Sequence, residues 1–365
     1  MKSKTSLTPS LTVQQAEATI LQAPLHTPFR IATGQHDTFA NAFLRIQLSD
    51  GSVGWGEAGV APHITGETLE QTLVNLQHAA LQLIGTNLAN YRSTCLLLSR
   101  RHQKNHAAQQ AVEMAVLDAV CNSCHFPLWH LFGHKPKKLQ TDITIVIGSA
   151  SEASTATRQF LRKGFTTFKI KIGTNPDLDF ERIQAVVRQA PDATILLDAN
   201  QAFTAESILS LLKTLRRHKI RPRLLEQPVP REDWDGLRKL TRESGTVVCA
   251  DESVRSLNDA LFAIKTGAVH AINLKLAKTA LFETAEIARI TKAAGLKLMM
   301  GAMLESALSI SAAAHFAAGF QHVDYIDLDT TYFIRGPLAR TPCLNTSGHI
   351  DVSTVRTGVG VTPKT

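Results

Sequence analysis

The chain has 365 residues, 44% hydrophobic and 19% charged, the composition of a soluble globular protein able to bury a large core. A formal charge of +8 and a pI near 9.3 raise the question of nucleic acid. The positive charge, however, falls in small groups such as Arg216, Arg217, Lys219, Arg221 and Arg223 without interleaved aromatics, which reads as solvated surface. No stretch approaches the ~18 apolar residues of a membrane span, the opening MKSKTSLTPSLTVQQ lacks an apolar h-region, and the cysteines give no disulfide framework, so a cytoplasmic protein is expected.

In chain order, residues 1–60 read as β-rich, with strands over Val13–Leu21, Ala42–Leu48 and Val53–Glu57; Asp50-Gly51 between the last two is a hairpin signal. The stretches between Leu25 and Phe39 and over Ala58–Glu67 read as two irregular loops of the size of binding loops or lids. From Thr68 to about Cys124 the pattern is helical, with Val112, Ala115, Val116, Ala119 and Val120 on one face and Pro127 beyond the end. Cys121-Asn-Ser-Cys124-His125 matches c-type haem attachment, but at the end of a buried helix it reads as two core cysteines. Pro136–Thr141 is the best boundary before the next unit.

Eight short apolar runs follow: 141–148, 166–173, 193–200, 222–228, 246–252, 270–276, 296–303 and 323–329. Helical segments separate them, for instance Leu257, Ala260, Leu261 and Ile264 before Gly267. Charged residues close the runs: Lys171 in FKIKIG, Asp198 in ILLDANQ, Glu226 in LLEQP, Asp251 in VVCADES and Lys275 in INLKLAK lie 27, 28, 25 and 24 residues apart. That interval is one βα unit, and the pattern is that of a (β/α)8 barrel with its active site at the C-terminal strand ends. A short tail returns through Gly336-Pro337 to Thr365 and is expected to pack on the first domain.

Asp198, Glu226 and Asp251 end the third, fourth and fifth strands and should be neighbours. Three unpartnered carboxylates would repel one another, and a hard divalent cation such as Mg²⁺ resolves the conflict with all-oxygen ligands. Lys169 and Lys171 share parity on the second strand, and Lys275 ends the sixth, across the mouth. A second cation beside a lysine is one way to lower its pKa and make it a base. A carboxylate chelated to Mg²⁺ can lose its α-proton to an enediolate, and a lysine on each face would then invert the carbon.

K-x-K, D-A-N, E-Q-P, A-D-E-S and N-x-K, in this order and spacing, closely resemble the enolase superfamily and its muconate-lactonizing subgroup over nearly the whole chain. The resemblance implies an α/β fold, a (β/α)7β TIM-like barrel (139–335) with an N-terminal α+β capping domain (1–138) and a tail (336–365) packing back on the cap. It implies Asp198, Glu226 and Asp251 as Mg²⁺ ligands, Lys171 and Lys275 as acid/base lysines, and Lys169 as the helper of Lys171. Asp327 and Asp329 are similar to the D-x-D of dipeptide epimerases, where it holds the substrate ammonium, and Thr144 looks like another substrate contact.

Two departures stand out. The arginine expected after T-P-F in enzymes acting on Ala-Glu is missing: Thr33 and Gly34 occupy the position, and Arg30 is the nearest arginine. The usual K-x-G-G after the sixth strand is Lys278-Thr279-Ala280-Leu281. The reading is therefore a Mg²⁺-dependent dipeptide epimerase acting on the α-carbon of the C-terminal residue, whose side chain faces Arg30, Thr33, Gly34, Ala302, Met303 and Leu304. A cycloisomerase, an o-succinylbenzoate synthase, an N-acylamino acid racemase and a non-enzymatic binding barrel are the alternatives, and a homo-oligomer is left open.

Overall fold

The computed structural model describes residues 11–364 apart from 102–104, 174, 337, 341 and 342. Pro337 and the first ten residues, read above, lie outside the described residues. Three antiparallel strands, β1 (Val13–Ile31), β2 (Gly34–Leu48) and β3 (Val53–Ala58), open the chain. The first two extend well beyond expectation, and the stretch read as an irregular first loop is the far end of their hairpin. After a register shift between Pro24 and Phe29, Phe29 pairs with His36, Arg30 with Gln35 and Ile31 with Gly34 around the turn Ala32-Thr33. Phe29 and Ile31 keep the two-residue period of a strand, which the intervening polar residues and prolines hide in the sequence.

The second stretch holds a single helical turn, α1 (Pro62–Thr65), closed by Gly66. Helices α2 (Leu69–Leu83), α3 (Tyr91–Arg101) and α4 (His106–Ser123) follow. α4 is buried on nearly every side rather than on one face, because it runs between the sheet and the barrel. A Cβ on Gly54 or Gly56 of β3 would meet Ala115 O at 2.1 Å or Ala111 O at 1.8 Å, so only glycine lets strand and helix approach this closely. Of the two cysteines beyond it, Cys121 is buried but Cys124 is exposed, which corrects the reading of two core cysteines.

After β4 (Leu139–Gln140) come β5 (Ile143–Ile145), α5 (Ala150–Arg162), β6 (Thr167–Lys171), α6 (Pro176–Gln189), β7 (Thr194–Asp198) and α7 (Ala205–Arg217). Then follow β8 (Leu224–Glu226), α8 (Trp234–Glu243), β9 (Val247–Ala250), α9 (Leu257–Thr266), β10 (Ala271–Leu274), α10 (Leu276–Ala293), β11 (Lys297–Met300), α11 (Ala307–Phe320) and β12 (Tyr325–Ile326). The strands from β5 to β12 pair in chain order, each parallel to the next, and Asp142 N donates to Ile326 O at 2.9 Å to join last to first. This is a (β/α)7β TIM-like barrel beside an α+β cap.

Strand alternation divides the barrel into layers. Leu196, Leu224, Cys249, Ala271 and Met299 form a small buried cluster of their own, whereas Leu197, Leu225, Val248, Ile272 and Met300, one position away, join the core shared with the helices. Two residues beyond Leu196, Leu224 and Cys249 stand Asp198, Glu226 and Asp251. A hydrophobic plug thus underlies a carboxylate layer. The tail adds β13 (Ala339–Arg340), β14 (His349–Ile350) and β15 (Thr362–Pro363); β14 pairs with β4, and Val359 N donates to Asp118 of α4 at 2.7 Å.

Candidate active site

The strand ends bring the charged residues together. Lys169 Nζ lies 3.2 Å from Asp198 Oδ2 and 3.2 Å from Glu226 Oε2, and donates to Asp327. Lys171 Nζ donates to Asp198 Oδ2 at 2.6 Å and to Asn200 Oδ1 at 3.2 Å. Lys275 Nζ stands 2.7 Å from Asp251 Oδ2. Since β7, β8 and β9 separate β6 from β10, Lys171 and Lys275 occupy opposite sides of the mouth. All of these side chains are buried.

A further set of residues, which the spacing of charges did not single out, holds the carboxylates. Lys278 Nζ donates at 2.8 Å to each of Asp251 O, Asp251 Oδ1 and Asn273 O, and Asn273 Nδ2 donates to Glu226 Oε1 at 2.7 Å. Gln227 Oε1 accepts from Asp251 N and Ser253 N, which fixes the end of β9. Lys278 lies three residues beyond Lys275, and Asn200 two beyond Asp198, a spacing that could have revealed them. Asp142 was also missed; it shares the parity of Thr144 on the first strand, and its carboxyl oxygens lie within 4.8 Å of those of Asp327 and Asp329.

Proximity of opposite charges sets the protonation states. Burial would raise Asp198, yet Lys171, Lys169 and Lys275 bring it down to about 2. Asp251 is held far below the usual carboxylate range, against its burial, by Lys275 and Lys278. Glu226 is pushed up to about 7 by burial and by Asp198 beside it. Burial opposes charge on Lys169 and Lys275, but Asp327 and Glu226 around the first, and Asp251 and Glu226 around the second, push both well up. In this arrangement carboxylates, rather than a neighbouring cation, govern these two lysines.

Above the charges opens a cleft enclosing about 580 Å³ up to its mouth. Its floor includes Thr144, Lys169, Lys171, Lys275, Asp327 and Asp329, and its walls include Phe29, Ile31 and the polar His36 from the hairpin, Val60, Ala61 and Ile64 around α1, and Ala302, Met303 and Leu304 after β11. Thr144 N donates to Asp329 Oδ2 at 2.6 Å. Arg30 and Thr33, expected to face the substrate side chain, are not part of this lining. Alternation turns Arg30 away from Phe29 and Ile31, and its Nε donates to Gln35 at 2.9 Å on the other side of the hairpin. The wall after β11 is tied to the cap, since Asn41 Nδ2 donates to Leu304 O at 2.9 Å and Ser306 N to Glu57 Oε1 at 2.8 Å.

Residues 15–133 match the mandelate racemase / muconate lactonizing enzyme N-terminal domain, and residues 152–365 match the enolase C-terminal domain-like family. The chain belongs to the enolase superfamily. Among its relatives, a hydrophobic dipeptide epimerase of Citrifermentans bemidjiense is 48% identical over 97% of this chain and 99% of the relative. An aromatic dipeptide epimerase of Herpetosiphon aurantiacus is 37% identical over 88% of this chain and 91% of the relative. A dipeptide epimerase of Enterococcus faecalis, solved with Mg and the dipeptide L-Leu-L-Tyr, superposes with a TM-score of 0.91 at 30% identity, covering 96% of this chain and 99% of that one.

Enolase-superfamily enzymes bind a divalent metal; among the described residues the carboxylates whose oxygens gather within 4.8 Å are Asp142, Asp327 and Asp329, whereas Asp198, Glu226 and Asp251 are each paired with lysines. Glu226 Oε2 and Asp251 Oδ2 are buried, lie 3.2 Å from Lys169 Nζ and 2.7 Å from Lys275 Nζ, and receive no hydrogen bond of good geometry. Together with Asp198 they form an all-oxygen set suited to a hard cation. In the other acidic group, Asp327 receives Lys169 and Asp329 receives Thr144 N, while neither oxygen of Asp142 receives a hydrogen bond.

Proposed function

We propose that this enzyme is a Mg²⁺-dependent dipeptide epimerase with a preference for apolar side chains. The observation that carries the reading is the contrast within one cleft: a floor of lysines and aspartates under walls of Phe29, Ile31, Val60, Ile64, Met303 and Leu304. Asp198, Glu226 and Asp251 would hold Mg²⁺, which supplies stabilisation of negative charge on the substrate carboxylate.

In this reading the substrate ammonium pairs with Asp327 and Asp329, placing the C-terminal α-carbon between Lys171 and Lys275. One lysine removes the α-proton and the other returns a proton to the opposite face. Lys169, in contact with Asp198 and Glu226, fixes those carboxylates in position. The largely apolar walls exclude water and accept the side chain, while among the described residues no guanidinium lines the cleft to pair an acidic one. Relatives named for hydrophobic and aromatic dipeptides support the same preference.

Direct competition between Ala-Leu and Ala-Glu tests it. The expected result is a kcat/KM at least about tenfold higher for Ala-Leu, since an unpaired carboxylate would be desolvated against an apolar wall. A higher value for Ala-Glu would contradict the reading.

A further inference from the structure

Asp142 is 2% exposed, and neither of its carboxyl oxygens receives an N–H or O–H from the protein. Its backbone is pinned by the bond from Asp142 N to Ile326 O that closes the barrel, so the side chain has little freedom to seek a partner elsewhere. The groups that face it are Asp327, Asp329 and Lys169. It does not line the cleft, whereas Asp327 and Asp329 do.

Three adjacent buried carboxylates with one shared lysine would leave uncompensated charge, at a cost of several kcal/mol. A proton shared between two carboxyls removes that charge and supplies the missing hydrogen bond. We propose that Asp142 is a positioning residue of the ammonium subsite: a neutral carboxylic acid that donates its proton to Asp327 and holds the Asp327–Asp329 pair towards one substrate ammonium. Burial, together with Asp327 and Asp329, also pushes the Asp142 carboxyl far up, in the same direction. The inference rests on the dipeptide reading for its ligand but not for its proton.

The test combines infrared difference spectroscopy with two variants. Wild type minus Asp142→Asn should contain the carbonyl stretch of a protonated carboxylic acid, and that band should shift when Mg²⁺ and a dipeptide ending in 2-aminoisobutyrate, which has no α-hydrogen to lose, are added. Asp142→Leu should raise KM for Ala-Leu about tenfold with a smaller change in kcat, the loss expected for one hydrogen bond. Asp142→Asn, whose amide still donates to Asp327, should recover most of that loss. Absence of the band, or an Asn variant as impaired as the Leu variant, would overturn the proposal. Should Asp142→Leu fail to fold, the band and the Asn variant still decide. If the analogue does not bind wild type, the dipeptide reading fails, while the band in the ligand-free enzyme still reports on the proton.

Discussion

Asp251 is held on three sides: its backbone N–H by Gln227, one carboxylate oxygen by Lys278 and the other by Lys275. So rigid a carboxylate keeps one orientation, and under the proposed metal reading its loss should be felt as lost charge rather than lost fold, because Asn preserves shape and the Lys278 bonds to Asp251 O and Asn273 O remain available. Asp251→Asn is expected to weaken Mg²⁺ binding at least about tenfold and abolish turnover, with an unchanged circular dichroism spectrum. Titration calorimetry reads the first and a chiral assay of Ala-Leu the second. Full wild-type turnover after exhaustive chelation would contradict the assignment of these carboxylates to a metal.

At the scale of elements, the departure from K-x-G-G becomes physical in α10. Ala280 has φ 52° and ψ −170°, a conformation that only glycine adopts without strain, and it divides the helix just beyond Lys275 and Lys278. The following turn is held from the cap: Leu281 N and Phe282 N donate to Glu113 Oε2 of α4 at 2.7 and 2.9 Å. The surrounding packing therefore over-determines a strained residue next to the site. Ala280→Gly should relieve strain of about 1–3 kcal/mol while losing about 0.8 kcal/mol of buried methyl, a net gain of about 1 kcal/mol. Denaturant unfolding monitors this, and a destabilised variant would mean that the methyl's packing outweighs the backbone cost.

Over the whole molecule, legibility followed the physics of alternation. The eight barrel strands were readable because each apolar run ends in, or lies beside, a turn or a charge, as at Asp198 and Glu226, where a strand leaves the core for the mouth. The hairpin was not readable, because the register shift between Pro24 and Phe29 breaks the period just where the polar residues begin; Phe29 and Ile31, which line the cleft, therefore went unmarked. Asp142 opens the first apolar run, where a charge at the start of a strand does not point to the mouth, and Lys278 stands in the altered K-x-G-G with its role unassigned. The barrel brings Asp327 to the first and Asp251 to the second.

The same architecture places Lys171 and Lys275 four strands apart around one cleft, and the proposed epimerisation requires them to act from opposite faces of one α-carbon. Its most direct test is α-hydrogen exchange in D₂O with Mg²⁺ and the two C-terminal stereoisomers of Ala-Leu, using wild type, Lys171→Ala and Lys275→Ala. Wild type should deuterate both isomers and interconvert them. Each variant should fail to epimerise yet exchange the α-hydrogen of one isomer through its surviving lysine, and the two variants should select opposite isomers. Exchange of the same isomer by both variants would contradict a lysine on each face.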